Sequence, residues 1–416
     1  MTGVGGYSLT ITWLPRALMA AAAAAAALLA AGQAEARGED KAWLPTWYAS
    51  PAPSPNASAE IKDLTIREIV HTTAGGGAVR IRLSNLYGKA PLHIAKAYVA
   101  NRRDGAGVSG GVSLRFKGGE EVTIAPGADV VSDPVTFAVK PGSDLAISLY
   151  VPDAVAATTH LQQRSAIYFA HGDVADRPEL SAGEGPKDTW ASWLFLSEVE
   201  VSGSPDRHAV IAFGDSITDG LGIDGDSATS WPDRLYERLS AAHKSLAVIN
   251  AGITGNRLTR PAQWGPFGEM GSTRFDRDVL EQPRAAAVIV LIGINDIGQS
   301  AKGRDDYASA EEIEAALTRL AERAHKRGLK IYLGTLTPFK GAKDGYYSEE
   351  KDVLRRAVNG WIRGQKVSDG VADFDKALDD PANAGQMRPA YDSGDHLHPN
   401  SKGARAIADA IPLTWF

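Results

Sequence analysis

The chain has 416 residues and no cysteine. That removes disulfides, thiolate metal sites and cysteine nucleophiles, so stability has to come from a packed core, which this length allows. Histidine is scarce, with nine in all. A basic stripe is also missing. The formal charge is -6, from 44 Lys and Arg against 50 Asp and Glu, which argues against nucleic acid as a partner. Long apolar runs are confined to the start of the chain. There Arg16 precedes an Ala- and Leu-rich stretch over 17–32 that ends in Ala34-Glu35-Ala36, the layout of a secretory signal peptide. The run is short of the roughly 20 residues that span a bilayer. Removal of residues 1–36 is therefore expected, with a secreted or periplasmic destination and no stable membrane insertion.

What remains has two textures. Over residues 43–200, short runs alternate apolar and polar residues, as in Val79-Arg80-Ile81-Arg82-Leu83 and Val135-Thr136-Phe137-Ala138-Val139, with glycine-rich turns between them. This pattern predicts antiparallel strands in a sandwich-like all-β domain, and no helix. After Ser202-Gly203-Ser204-Pro205 the period changes. Continuous apolar runs at 209–213, 246–249, 286–292, 331–333 and 371–374 alternate with amphipathic stretches. One of these opens with Ser309-Ala310-Glu311-Glu312, a capping box, and places Ile313, Ala316, Leu317, Leu320, Ala321 and Ala324 on one stripe. Buried strands alternating with helices predict an α/β domain built on a parallel sheet, with ligands beyond the C-terminal strand ends. The expected organisation is signal peptide 1–36, β domain 37–203 and α/β domain 204–416.

The residues after each buried strand carry the chemistry. Gly214-Asp215-Ser216 follows the first, and Ser216 is a candidate nucleophile, although Asp and Ser also serve as ordinary helix caps there. Gly252, after the second strand, would let a backbone N–H approach a ligand, or is a turn glycine. Asn295, after the third, can donate an N–H to an oxyanion, or cap a helix. Near the C-terminus stands Asp392-Ser393-Gly394-Asp395-His396-Leu397-His398-Pro399. A serine needs a base, and the base needs a carboxylate to fix its tautomer, which Asp395 and His398 can supply. Read alone, the same cluster could hold zinc through Asp392, Asp395, His396 and His398. The metal reading leaves Ser216, Gly252 and Asn295 without a role. Asp219, Asp296 and Asp392 are expected to stabilise turns or loops, and His396 to be structural or solvent-facing.

Gly214-Asp215-Ser216-Ile217-Thr218, Gly252, Gly293-Ile294-Asn295-Asp296 and Asp395-His396-Leu397-His398 together resemble the sequence blocks of the SGNH, or GDSL, hydrolase superfamily. The likeness extends over roughly residues 207–416, with Ile217 where the name-giving pattern has leucine. It implies a flavodoxin-like three-layer α/β/α sandwich, with Ser216 as nucleophile, His398 as base and Asp395 orienting it. It further implies an oxyanion hole from Ser216, Gly252 and Asn295, no cofactor, and hydrolysis of esters of small acyl groups, fatty acids or acetylated sugars. Arg274-Phe275-Asp276-Arg277-Asp278 resembles a bacterial secreted subgroup that carries a β-rich region ahead of the catalytic domain and is often labelled lysophospholipase-like, which adds lysophospholipids to the expected substrates.

The expected partner is a small-molecule or glycan ester. An acyltransferase using the same acyl-enzyme stays open, as does a carbohydrate- or surface-binding protein with an idle catalytic half. For that last role Trp43, Trp47, Trp190 and Trp193 are either a sugar-stacking surface or core packing. Residues 259–273, rich in Pro and aromatics, are expected to form a pocket wall or lid. The sequence sets no oligomeric state.

Overall fold

The alternating runs of the N-terminal half fold as antiparallel strands in two five-stranded sheets, with smaller sheets beside them. The computed structural model describes residues 42–56, 60–161, 166–180, 192–203, 206–223 and 228–416, so the expected signal peptide and Trp190 lie outside the described residues. The first sheet pairs Leu196–Ser202 with Trp43–Tyr48 on one side and Gly76–Ser84 on the other. Gly76–Ser84 also receives Asp129–Val131 and Val135–Val139. The second sheet runs Ile167–His171, Leu64–His71, Asp144–Val151, Lys96–Arg102, Val108–Ser113.

Alternation decides the faces. Val79, Ile81, Leu83, Val199 and Val201 share one apolar core with Ile66, Leu145, Ile147 and Leu149 of the second sheet. The side chains between them leave by the opposite face and pair by charge. Arg80 Nη2 lies 2.6 Å from Glu200 Oε2, and Arg82 Nε lies 3.0 Å from Glu198 Oε2. Burial, reinforced by neighbouring Glu200, still raises the Glu198 carboxyl pKa above its ordinary value. Trp43 and Trp193 are buried. The Arg80 guanidinium sits 4.6 Å from the Trp43 ring centroid, and Trp47 meets Trp193 edge to face at 4.7 Å. Trp43 and Trp193 thus pack the interior, while Trp47 is half-buried against the same core.

At His208 the sheet type changes. Five parallel strands follow: β1 (His208–Gly214), β2 (Leu246–Gly252), β3 (Ala285–Leu291), β4 (Lys330–Gly334) and β5 (Gly370–Ala372). Their spatial order is β2-β1-β3-β4-β5, the flavodoxin-like order. The helices are α1 (Ser216–Asp219), α2 (Trp231–Ala241), α3 (Gly271–Phe275), α4 (Ile294–Gly298), α5 (Ala310–Lys326), α6 (Glu349–Gly364), α7 (Phe374–Leu378) and α8 (Ser401–Asp409). Helix α5 begins at the Ser309/Glu312 capping box, and its predicted stripe is buried. Helix α2 packs on α8, and α5 on α6. The chain reverses direction across the sheet between β1 and β3, which opens a crevice at their C-terminal ends. Among the described residues no helix is long and apolar enough to cross a membrane.

Trp43–Phe416 forms one compact unit. Strand β2 is an edge of the parallel sheet, and the β-half covers it. Strand Trp43–Tyr48 lies alongside β2, and the Val248 N–H donates to Thr73 Oγ1 at 3.2 Å. Tyr48 joins the core of the α/β half, while Ala209 and Ala247 join that of the β-half.

Candidate active site

Strand β1 ends at Gly214, and the chain turns at once into α1. The Asp215 side chain caps that turn, its Oδ1 accepting the Ile217 N–H at 3.1 Å. Asp215 is fully buried, and its other oxygen has no partner among the described residues. Burial pushes its pKa up to about 7, against the pull of the Ile217 amide. Ser216 follows, with its hydroxyl turned to the C-terminal loop. Ser216 Oγ lies 2.8 Å from His398 Nε2, and His398 Nδ1 lies 2.6 Å from Asp395 Oδ2. A carboxylate only accepts, so Nδ1 carries the proton and Nε2 is left to receive that of the serine.

The loop that holds His398 is built by its own carboxylates. Asp395 Oδ1 accepts the amides of Leu397 and His398 at 2.9 and 2.8 Å. Burial opposes its ionisation, but the His398 ring and those amides hold the carboxyl well below the usual range. Asp392 does the same one turn earlier. Its Oδ1 accepts the amides of Gly394 and His396, and its Oδ2 lies 2.6 Å from His396 Nδ1. His396 has φ 64°, and this left-handed kink sends its ring away from His398, over Gly341. Among the described residues no three His, Asp or Glu side chains gather as a metal site requires.

Asn295, in α4, points its side chain into the same crevice. Its Nδ2 donates to Asn256 O at 3.0 Å, while its Oδ1 accepts from Tyr346 OH and Gln299 Nε2 at 2.8 and 2.9 Å. The second N–H of the amide is left for a ligand.

Gly252 is where the structure corrects the sequence reading. Its N–H donates to Asn250 Oδ1 at 2.9 Å and is spent. The glycine is needed for a different reason, since a Cβ there would come within 2.2 Å of Asp219 N, in α1. The free amide lies three residues on. Gly255, with φ 75°, has no acceptor for its N–H among the described residues, and nor does Ser216. Thr254 is tied to Asp219, through its N–H at 3.0 Å and its hydroxyl at 2.7 Å, and Asn256 is tied to Asn295. Gly255 is thus held between α1 and α4. The signal for it was in the sequence, as the second glycine of Gly252-Ile253-Thr254-Gly255, whereas Tyr346 and Gln299 had none.

The other loop aspartates are structural. Asp296 accepts Leu258 N–H, Thr259 N–H and Thr259 Oγ1–H at 2.6 to 2.8 Å. Residues 259–273 are stapled down: Asn256 Nδ2 donates to Phe267 O and Glu269 O at 2.7 and 2.6 Å. Beside Asp395 opens a cleft of about 640 Å³, whose wall includes Gln263, Gln299, Ser300, Arg304 and Lys343.

Residues 212–406 match the family model described as GDSL-like Lipase/Acylhydrolase family. No curated protein matches the chain. Among solved structures, it is similar to the acetylxylan esterase Axe2 from Geobacillus stearothermophilus at 23% identity and TM-score 0.38, over 49% of this chain and 91% of that one. It is also similar to an acetyl xylan esterase, AlAXEase, at 24% identity and TM-score 0.37, over 50% of this chain and 98% of that one. A third is LAE5, an alpha/beta hydrolase enzyme from the metagenome of Lake Arreo, Spain, at 23% identity and TM-score 0.38, over 49% and 92%. At these TM-scores no substrate carries over from them. The sheet order and the family match agree on the α/β half: it belongs to the GDSL-like lipase/acylhydrolase family, and the chain is a carboxylic ester hydrolase.

Proposed function

We propose that the chain is an exported serine esterase that passes an acyl group from a carboxylic ester to Ser216 and then to water. The observation that carries this is the hydrogen-bonded line Ser216 Oγ, His398 Nε2, His398 Nδ1, Asp395 Oδ2, with bonds of 2.8 and 2.6 Å. Ser216 Oγ attacks the ester carbonyl as His398 Nε2 takes its proton, and Asp395 steadies the imidazolium. The oxyanion is met by the amides of Ser216 and Gly255 and by the Asn295 side chain, Gly255 taking the role expected of Gly252. The C–O bond to the alcohol breaks, and His398 returns the proton to the leaving oxygen. Water, deprotonated by His398, then attacks the acyl-enzyme and releases the acid and Ser216.

The cleft favours a polar alcohol. Gln263, Gln299, Ser300, Arg304 and Lys343 line it together with Ala301, Ala342 and Leu397, and so many polar groups suit a sugar or other polyol better than a long acyl chain. The substrate class proposed is a short-acyl ester of a carbohydrate. Export rests on the pattern at 16–36, and sequencing the N-terminus of the mature protein tests it.

Ser216→Ala is expected to abolish p-nitrophenyl acetate turnover in a folded protein, by a factor of about 10⁴ or more. Retained turnover would remove the nucleophile assignment. A series of p-nitrophenyl esters from acetyl to palmitoyl, run beside acetylated xylan and a lysophospholipid, tests the substrate class. A preference for palmitoyl esters or the lysophospholipid would overturn it.

A further inference from the structure

Two buried ionic couples stand behind the site, and a residue of the β-half engages each. His160, on strand Thr158–Leu161, crosses into the α/β half. Its Nε2 lies 3.1 Å from Asp219 Oδ1, and its Nδ1 lies 2.9 Å from Ser50 O. Both partners only accept, so both ring nitrogens carry protons and His160 is an imidazolium paired with Asp219. Burial opposes that charge, but Asp219 outweighs it and the imidazole pKa is raised. The remaining oxygen of Asp219 holds Thr254 by two bonds. The second couple is Arg274 with Asp278, both fully buried. Arg274 Nε donates to Asn256 Oδ1 at 3.0 Å, and its terminal nitrogens donate to Ala251 O and Gly214 O at 2.8 and 2.7 Å. Tyr48, from the first strand of the β-half, donates its hydroxyl to Asp278 at 2.8 Å.

Thr254 and Asn256 are the two neighbours of Gly255. One is fixed through Asp219 and His160, the other through Arg274, Asp278 and Tyr48. We infer that the β-half is the brace of the oxyanion loop, with His160 a positioning residue that acts through Asp219 and Thr254 on the Gly255 amide. The inference rests on the serine-esterase reading given above. It gives the β-half a part in catalysis without any contact to substrate. A loop amide displaced by a fraction of an ångström loses its aim at the transition state while substrate binding is little changed.

The test uses the full chain and p-nitrophenyl acetate. His160→Leu should lower kcat about 10- to 100-fold and leave KM within about twofold, in a protein whose circular dichroism is that of the wild type. His160→Gln, whose amide can donate to Asp219, should recover most of that loss, which a purely steric role for the ring would not predict. Thr254→Val should also lower kcat, and the double variant should lose less than the product of the two single losses, because both act on one line of contacts. Wild-type kcat in folded His160→Leu, or losses that simply multiply, would overturn the proposal. If His160→Leu does not fold, Tyr48→Phe decides: a kcat loss of about 2- to 10-fold is expected, and wild-type kcat overturns it. Ser216→Ala in the same assay separates the two ideas, since its survival would sink the esterase reading itself.

Discussion

Asp392–His396 and Asp395–His398 stand within seven residues and make the same bond, an imidazole Nδ1 at 2.6 Å from a carboxylate Oδ2. In both pairs the other carboxylate oxygen accepts two backbone amides. The pairs differ in what the far ring nitrogen meets. His398 is buried and faces Ser216, whereas the left-handed kink at His396 turns its ring over Gly341. An Asp–His pair is thus only a means of orienting an imidazole. One residue of backbone geometry decides whether that orientation serves catalysis or a turn.

The comparison breaks most readily at the histidines. His398→Ala should cut kcat/KM for p-nitrophenyl acetate by about 10⁴, while His396→Ala should stay within about threefold of wild type. Equal losses would mean that both rings take part. At the carboxylates, Asp395→Asn should cost about 10³- to 10⁴-fold in kcat through the wrong tautomer. Asp392→Asn should mainly lower the melting temperature, by an amount worth about 1 kcal/mol, and leave kcat at low temperature near wild type. Asn295→Ala, outside both pairs, should cost about 10²- to 10³-fold in kcat.

The smallest effect is one of pH. Asp395 has its folded pKa depressed, so the stability it contributes is present above the unfolded carboxylate value of about 4 and is lost as pH falls through the folded value. Thermal unfolding of wild type and Asp395→Asn should therefore differ above about pH 4 and converge below it. A gap that stays constant down to the acid limit would show that the pair contributes no linked stability.

The architecture of the α/β half was legible because its signals are local. The runs at 209–213 and 286–292 are continuous, apolar, short and rich in Val and Ile, which reads as buried strands, and the stripe from Ile313 to Ala324 has one period. Ser216, Asn295, Asp395 and His398 were legible because each follows a strand or sits in a compact turn. Gly252 and Gly255 show where that reasoning ends. Both are glycines past the same strand, and only the Asn250 side chain, which takes the first amide, separates them. His160 and Tyr48 were out of reach for a related reason. Their partners lie 59 and 230 residues away, and no spacing encodes such a contact. Trp43 resolved toward packing because Arg80, from the charged ladder with Glu200, lies over its ring.

Asp215 carries a consequence for how the enzyme ages in use. A carboxyl whose pKa is raised by burial to about 7 binds more protons folded than unfolded, so its share of stability declines as pH rises from about 4 through 7. Glu198 is raised as well and leans the same way. The fold thus slackens on the alkaline side, and long incubations should last longest in mildly acidic buffer.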